Sequence, residues 1–185
     1  MAPQDLAGIA WRRRLALRAT DRAVHRATGL TPLSVSTDRI GLTAIRAAGI
    51  LAALAACGRS VERDGTGCVA EVYPAASLWC WGLPHRRYKG ADKRSLRAEL
   101  LDGLGRAAPW LDVGDVQEVC LASDDALDAL IAAFAARAVT LGAATRPSAE
   151  EAEPARREGW IALPTCPLEA LADGPIPGWG ALTRG

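Results

Sequence analysis

The stretch CVAEVYP, residues 68–74, decides how the fold is read. Val69, Val72 and Tyr73 are strand formers, the turn residues Gly65, Thr66 and Gly67 precede them, and Pro74 ends the run. With a strand here the protein is mixed α/β. Without one, little else in the chain carries a period of two. A second short strand is expected at WIAL, residues 160–163, and residues 116–121 fit either a short strand or a helix. A lone strand or pair makes no stable sheet. Either further strands lie hidden in less regular segments, or this chain lacks part of a sheet.

Working outward, the remaining pattern is helical. Residues 4–27 offer an apolar stripe of Leu6, Ile9, Ala10, Leu17 and Val24, with Gly29 as a natural stop. Arg14, Arg18, Arg22 and Arg26 recur every fourth residue and predict a basic ridge along one face. A loop broken by Pro32 leads to a second helix over residues 38–57. Pro74 suits the first turn of a short helix, PAASLWCW. Further helices are expected over residues 92–107 and 123–141. Residues 146–159, charged and Pro-containing, read as a loop or mobile linker, and residues 165–185 as an extended tail. The expected organisation is one domain over residues 1–164 followed by that tail.

Composition narrows the class. Ala dominates a chain that is 50% hydrophobic, which favours helix. A formal net charge of +1 selects neither nucleic acid nor membrane, so any basic surface is local. The five cysteines form no C-x-x-C pair and fit no zinc spacing. The N-terminus lacks the order of a signal peptide, and the most lipid-like run, Ala47 to Cys57, is too short to span a bilayer. The expectation is a cytoplasmic protein with reduced thiols and no membrane partner.

The segment SDDALDALIAAFAARAVTLG, residues 123–142, poses the functional question. Between Ala126 and Leu141 the formal charges are Asp128 and Arg137 alone. A helix apolar on most faces is normally buried. An unpaired buried carboxylate costs several kcal/mol. Asp128 is therefore paired, protonated, exposed through a cleft or bound to a cation. Asp125, three residues earlier, shares its face, and a divalent ion would relieve their repulsion. Ser123, Asp124 and Asp125 are also what a helix N-terminus prefers, and that suffices for the first two acids. Glu71, near the end of the expected strand, is the other anomalous acid, although simple alternation on an edge strand would account for it.

Taken in order, TDRAVHRATG, AEVYPAASLWCWGL, YKG, DDALDALIAAFAARAVTLG and REGWIALP resemble the predicted nucleases of domain-of-unknown-function family 429. That family is grouped with the ribonuclease H-like superfold. The resemblance runs from about Arg18 to Pro164. It implies an α/β, ribonuclease H-like, helix-rich domain whose sheet is incomplete at two or three strands. It implies hydrolysis of phosphodiesters with Mg²⁺ or Mn²⁺, and Glu71, Asp125 and Asp128 as the catalytic metal ligands. The family pattern opens with a hairpin whose first strand carries a central Asp. No such strand precedes the first helix here, so the resemblance implies a domain short of its opening strands. A homo-oligomer or a partner chain would then complete the sheet.

The loop around His85 supplies Arg86, Arg87, Lys89 and Lys93, candidate contacts to nucleic-acid phosphates. Tyr73, Trp79, Trp81 and Tyr88 could stack bases, though burial suits the tryptophans better. No Ser/His/Asp or Cys/His spacing and no phosphate-binding Gly loop is present in the sequence. The alternative to a metal-dependent nuclease is a non-catalytic α/β scaffold or binding module.

Overall fold

The computed structural model describes residues 16–33 and 40–172. These fall into two compact units, one built from the chain up to Glu71 with Arg146–Ile161, the other from Val72–Thr145 with the chain from Ala162 onward.

In the first unit, α1 spans Ala19–Thr28 and α2 spans Gly41–Ala56. The helix expected over residues 4–27 lies outside the described residues as far as Leu15, and α1 itself begins only after a break at Leu17 and Arg18. The break has a local cause. Arg18 is extended, and its N–H donates to Asp21 Oδ2 at 2.9 Å, capping the new helix. Gly29 stops α1 in the left-handed region at φ 70°. Val24 and Thr20 of α1 are buried with Ala155, Trp160 and Ile161. The core of this unit is small, and α2 contributes no buried residue to it.

The second unit holds α3 (Pro74–Cys80), α4 (Arg94–Ala107), α5 (Gln117–Ala122) and α6 (Asp124–Thr140), with 3-10 turns at Gly114–Val116 and Leu168–Ala172. Their apolar stripes form one cluster, including Leu78, Leu100, Leu104, Leu127, Ile131 and Leu171. On α6, Leu127, Ile131, Phe134, Ala135 and Ala138 are buried, an i, i+4, i+7, i+8, i+11 face. The opposite face, with Asp125, Ala129 and Ala133, is exposed. The helix is thus buried on one side only, because Ala on the outer side needs no cover. The edges of Trp81 and Trp110 meet Phe134 at centroid distances of 6.4 and 5.8 Å.

The expected α/β architecture is corrected by the structure. Among the described residues there is no β-strand, and hence no ribonuclease H-like sheet of two or three strands. Of CVAEVYP, Pro74 already belongs to α3 and residues 69–73 lie outside any helix, but their pairing is a single parallel bridge from Glu71 to Ile161, and a second isolated bridge joins Ala144 to Pro164. The physical reason lies in the partners. In WIAL, Trp160 N–H donates to Arg63 O at 2.8 Å and Ile161 N–H donates to the Thr20 hydroxyl at 2.7 Å. A loop carbonyl and a helix side chain take the donors that a neighbouring strand would have used.

Two further expectations change. Residues 116–121 belong to helical structure, the 3-10 turn and α5. The segment read as a linker over residues 146–159 contains α7, Ala152–Glu158. Pro154 falls in its first turn, where it is tolerated. Glu153 pairs with Arg156 at 2.6 Å and Arg157 at 2.7 Å, so the charges that suggested a loop are the helix's own i, i+3 and i, i+4 pairs. In the expected tail, Leu168 and Leu171 are buried, and residues 173–185 lie outside the described residues.

Candidate functional site

Glu71 belongs to the first unit and is gripped by Arg18. The guanidinium donates from Nη2 to Oε1 at 2.6 Å and from Nη1 to Oε2 at 3.0 Å. The same group donates to Asp21 Oδ1 at 3.0 Å and to the Glu158 carbonyl at 3.0 Å. The Asp21 side chain is fully buried. Burial pulls the Arg18 pKa down, but the bonds to Glu71 and Asp21 outweigh it and leave the group above its usual range. One cation therefore serves two carboxylates, and the spare donor at Ala19 N is taken by Glu158 Oε2 at 2.8 Å. Gly159, at φ 87°, lets the backbone approach, since a Cβ there would lie 2.6 Å from Glu71 Oε2.

In the second unit the start of α6 meets the basic loop. Ser123 caps the helix, its Oγ accepting from Ala126 N at 3.3 Å. Asp124 Oδ2 accepts the Gly90 N–H at 3.0 Å. Asp128 Oδ1 accepts the Tyr88 hydroxyl at 2.7 Å, and Oδ2 accepts Lys89 Nζ at 2.5 Å. Asp125 is exposed. The Tyr88 hydroxyl is raised far above its ordinary pKa, by burial first and then by donating to Asp128. Burial also raises Tyr73. The anomaly of Asp128 is thus resolved within the unit, because a phenol and an ammonium from the loop satisfy it.

Arg97 completes this arrangement. It lies on the apolar stripe of α4 with Leu100, Leu101 and Leu104, and is 1% exposed. Its guanidinium donates to the carbonyls of Leu121 at 2.8 Å, Tyr88 at 3.0 Å and Gly90 at 2.7 Å. The loop is consequently held at Tyr88, Lys89 and Gly90. Arg87, at φ 67°, turns the backbone just before that anchor. Arg86 and Arg87 are exposed and pair with none of the described acids, whereas Lys93 pairs with Asp92 at 2.5 Å and Arg94 with Glu118 at 2.7 Å. Arg97 was missed by sequence reasoning. Its signal was available as a charge at a position the helical period reserves for Leu.

The expected site residues therefore group as follows. Asp125 and Asp128 share α6 with the contacts of Lys89, and Glu71 has its own partner in Arg18 within its own unit. The arginine ridge is not continuous. Arg14 lies outside the described residues, Arg18 turns to Glu71, and Arg22 and Arg26 are exposed. Of the aromatic candidates, Trp79 is exposed, Trp81 and Tyr73 are half-buried, and Tyr88 is buried. All five cysteines are free thiols, with Cys57 and Cys68 exposed.

The donor set does not fit a divalent ion as arranged. Both Glu71 oxygens carry Arg18, both Asp128 oxygens carry loop donors, and among the described residues no group of three His, Cys, Asp or Glu side chains is gathered to hold a metal. No helix among the described residues is long and apolar enough to cross a membrane.

A family model described as "Protein of unknown function (DUF429)" matches residues 7–153, most of the chain. No curated protein and no solved structure matches it.

Proposed function

Because the chain belongs to the family of unknown function DUF429, whose description assigns no activity, we propose its function from the geometry of the loop on α6: it binds the phosphate backbone of nucleic acid. One observation carries this reading. The loop is anchored at Tyr88, Lys89 and Gly90 by Arg97, Asp124 and Asp128, while Arg86 and Arg87 stand exposed beside the anchor. A held loop that presents two guanidinium groups loses little conformational freedom on meeting a phosphate. The acids position the loop in this reading. Fluorescence anisotropy with labelled single- and double-stranded oligonucleotides tests it. Each removed phosphate contact lowers the magnitude of the slope of log K against log salt by about one. Arg86→Ala with Arg87→Ala should therefore flatten it by about two. An unchanged slope removes the loop from the interface.

A second reading, divalent-metal-dependent hydrolysis of phosphodiesters with Asp125 and Asp128 as ligands of Mg²⁺ or Mn²⁺, is favoured by the acids Asp124, Asp125 and Asp128 at the start of α6. It requires Asp128 to leave Tyr88 and Lys89. Titration with Mn²⁺ followed by electron paramagnetic resonance decides it. Asp128→Ala should abolish binding under this reading, and equal binding by both chains refutes it.

A further inference from the structure

The helix α2 is uncovered. Its 16 residues, GLTAIRAAGILAALAA, carry one formal charge, at Arg46, yet none is buried. Helices in proteins owe most of their stability to a covered apolar face. The inner and outer faces of α2 are both apolar, but they differ in what lies beside them. The inner one, with Ala44, Ala47, Leu51 and Leu54, lines a groove shared with Arg18, Arg63 and Glu71, so anything seated there meets three charges. The outer one carries Leu42, Ile45, Gly49, Ala52 and Ala56, none of which lines that groove. Their alternating spacing of three and four residues is that of a helix-pairing seam. Leu42 and Ile45 are 71% and 70% exposed, and Gly49, Ala52 and Ala56 are exposed as well. Gly49 is a second oddity. Glycine weakens a helix interior, and a Cβ added there would meet nothing within 4 Å among the described residues, so their packing does not require it.

We infer that the outer face of α2 pairs antiparallel with the same face of a second copy of this chain, about a two-fold axis beside Gly49. A two-fold interface must be complementary to itself, and this face is. It is large at one end, with Leu42 and Ile45, and small at the other, with Ala52 and Ala56, so antiparallel pairing seats each large end on the partner's small end. Gly49, between the two ends, has no Cβ to hold the backbones apart where they cross. Charge agrees. Arg46 is exposed at the edge of the seam, and antiparallel pairing carries it toward the partner's last turn, which holds no basic residue and the negative end of the helix dipole. Area sets the strength. A helix of 16 residues is about 24 Å long and, at about 11 Å across, offers about 400 Å² on one side. That is about half the 800 Å² per partner of a standard interface. The dimer is therefore weak and forms at micromolar rather than nanomolar concentrations. This pairing involves the first unit alone and is independent of the reading of the loop on α6.

Sedimentation equilibrium of the full chain tests the pairing. The mass should rise with concentration from the monomer's 19.4 kDa toward twice that value, with a midpoint roughly between 10 and 100 µM. Gly49→Leu strengthens the helix but holds the two backbones apart, and should raise the dissociation constant about tenfold or more. Ile45→Asp sets an unpaired charge in the seam and should do the same. Ala47→Asp, on the inner face, should leave the constant within about twofold. Far-UV circular dichroism confirms retained helix in each variant, and if Ile45→Asp loses helix, Gly49→Leu decides alone. A mass that stays monomeric up to about 1 mM overturns the inference. So does association that Gly49→Leu leaves unchanged. Association abolished by Ala47→Asp would move the contact to the groove, and growth beyond the dimer would exclude a closed two-fold pair, and either result overturns the inference equally.

Discussion

Arg18 holds Glu71 through two parallel hydrogen bonds, Nη2 to Oε1 at 2.6 Å and Nη1 to Oε2 at 3.0 Å, while capping α1 beside the buried Asp21. The acid that sequence offers as a metal ligand is therefore the partner of a structural arginine. Arg18→Met should strand Asp21 without a counter-charge and cost about 3–5 kcal/mol, the usual penalty for breaking a buried pair. Glu71→Gln leaves Asp21 paired and should cost less, about 1–2 kcal/mol. Urea denaturation checks both. The midpoint should fall more for Arg18→Met, with an unchanged slope. Equal, small losses would show that the cluster contributes nothing beyond a surface pair.

Gly159 has no room for a side chain. Its φ of 87° disfavours an L residue, and a Cβ would stand 2.6 Å from Glu71 Oε2 and 3.4 Å from Arg63 Nη1. Both contacts are side chains, so the clash relaxes only if Glu71 moves off Arg18. Gly159→Ala should therefore lose about 1–3 kcal/mol from the strained backbone, together with part of the Arg18 interaction. Combined with Glu71→Gln, its cost should be less than additive. Additive costs in the double-mutant cycle would separate the two residues.

Tyr88 sets a pH dependence. Its pKa in the folded protein is raised, by burial and then by Asp128, above the value near 10 expected of an unfolded chain. As pH rises past about 10, the unfolded state gives up this proton first, so the native state loses its advantage. Stability should be full below about pH 10 and decline above it. Tyr88→Phe should reduce that decline, with Tyr73, also raised by burial, retaining a share. At neutral pH the same change should cost about 1–2 kcal/mol, because Asp128 Oδ1 loses its donor. Denaturation midpoints on either side of pH 10 decide it, and an identical decline in Tyr88→Phe places its origin elsewhere.

Helix positions were legible because their cause is local. Pro74 at the start of α3, Ser123 capping α6 and Gly29 ending α1 each act within a turn of their own residue. The strands were not, because a strand is a property of its neighbour. Val69 and Val72 suit an extended backbone, but whether a ladder forms depends on residues like Thr20 and Arg63, which took the donors of Ile161 and Trp160. The site was legible in halves. Asp128 and Glu71 stood out as acids among apolar residues, yet their partners, Tyr88 and Arg18, lie 40 and 53 residues away and no spacing rule links them. The linker at residues 146–159 was misread because a helix held by Glu153 with Arg156 and Arg157 has the composition of a loop.

Arg97 offers the sharpest separation of positioning from contact. It is buried, it donates to the Leu121, Tyr88 and Gly90 carbonyls, and it stands behind the loop that presents Arg86 and Arg87. A Lys ammonium keeps the charge but not the planar fork that reaches three carbonyls. Arg97→Lys should lose about 1.5–3 kcal/mol of stability, the range for bonds to a charged donor. The amides of residues 86–90 should then exchange faster with solvent. If the loop binds phosphates, Arg97→Lys should weaken oligonucleotide affinity at every salt concentration without altering the salt slope, because no phosphate contact is removed. Arg86→Ala should do the reverse and change the slope. A changed slope in Arg97→Lys would mean that this arginine itself meets the backbone, and unchanged affinity in a folded, faster-exchanging variant would mean that holding the loop is not what binding requires.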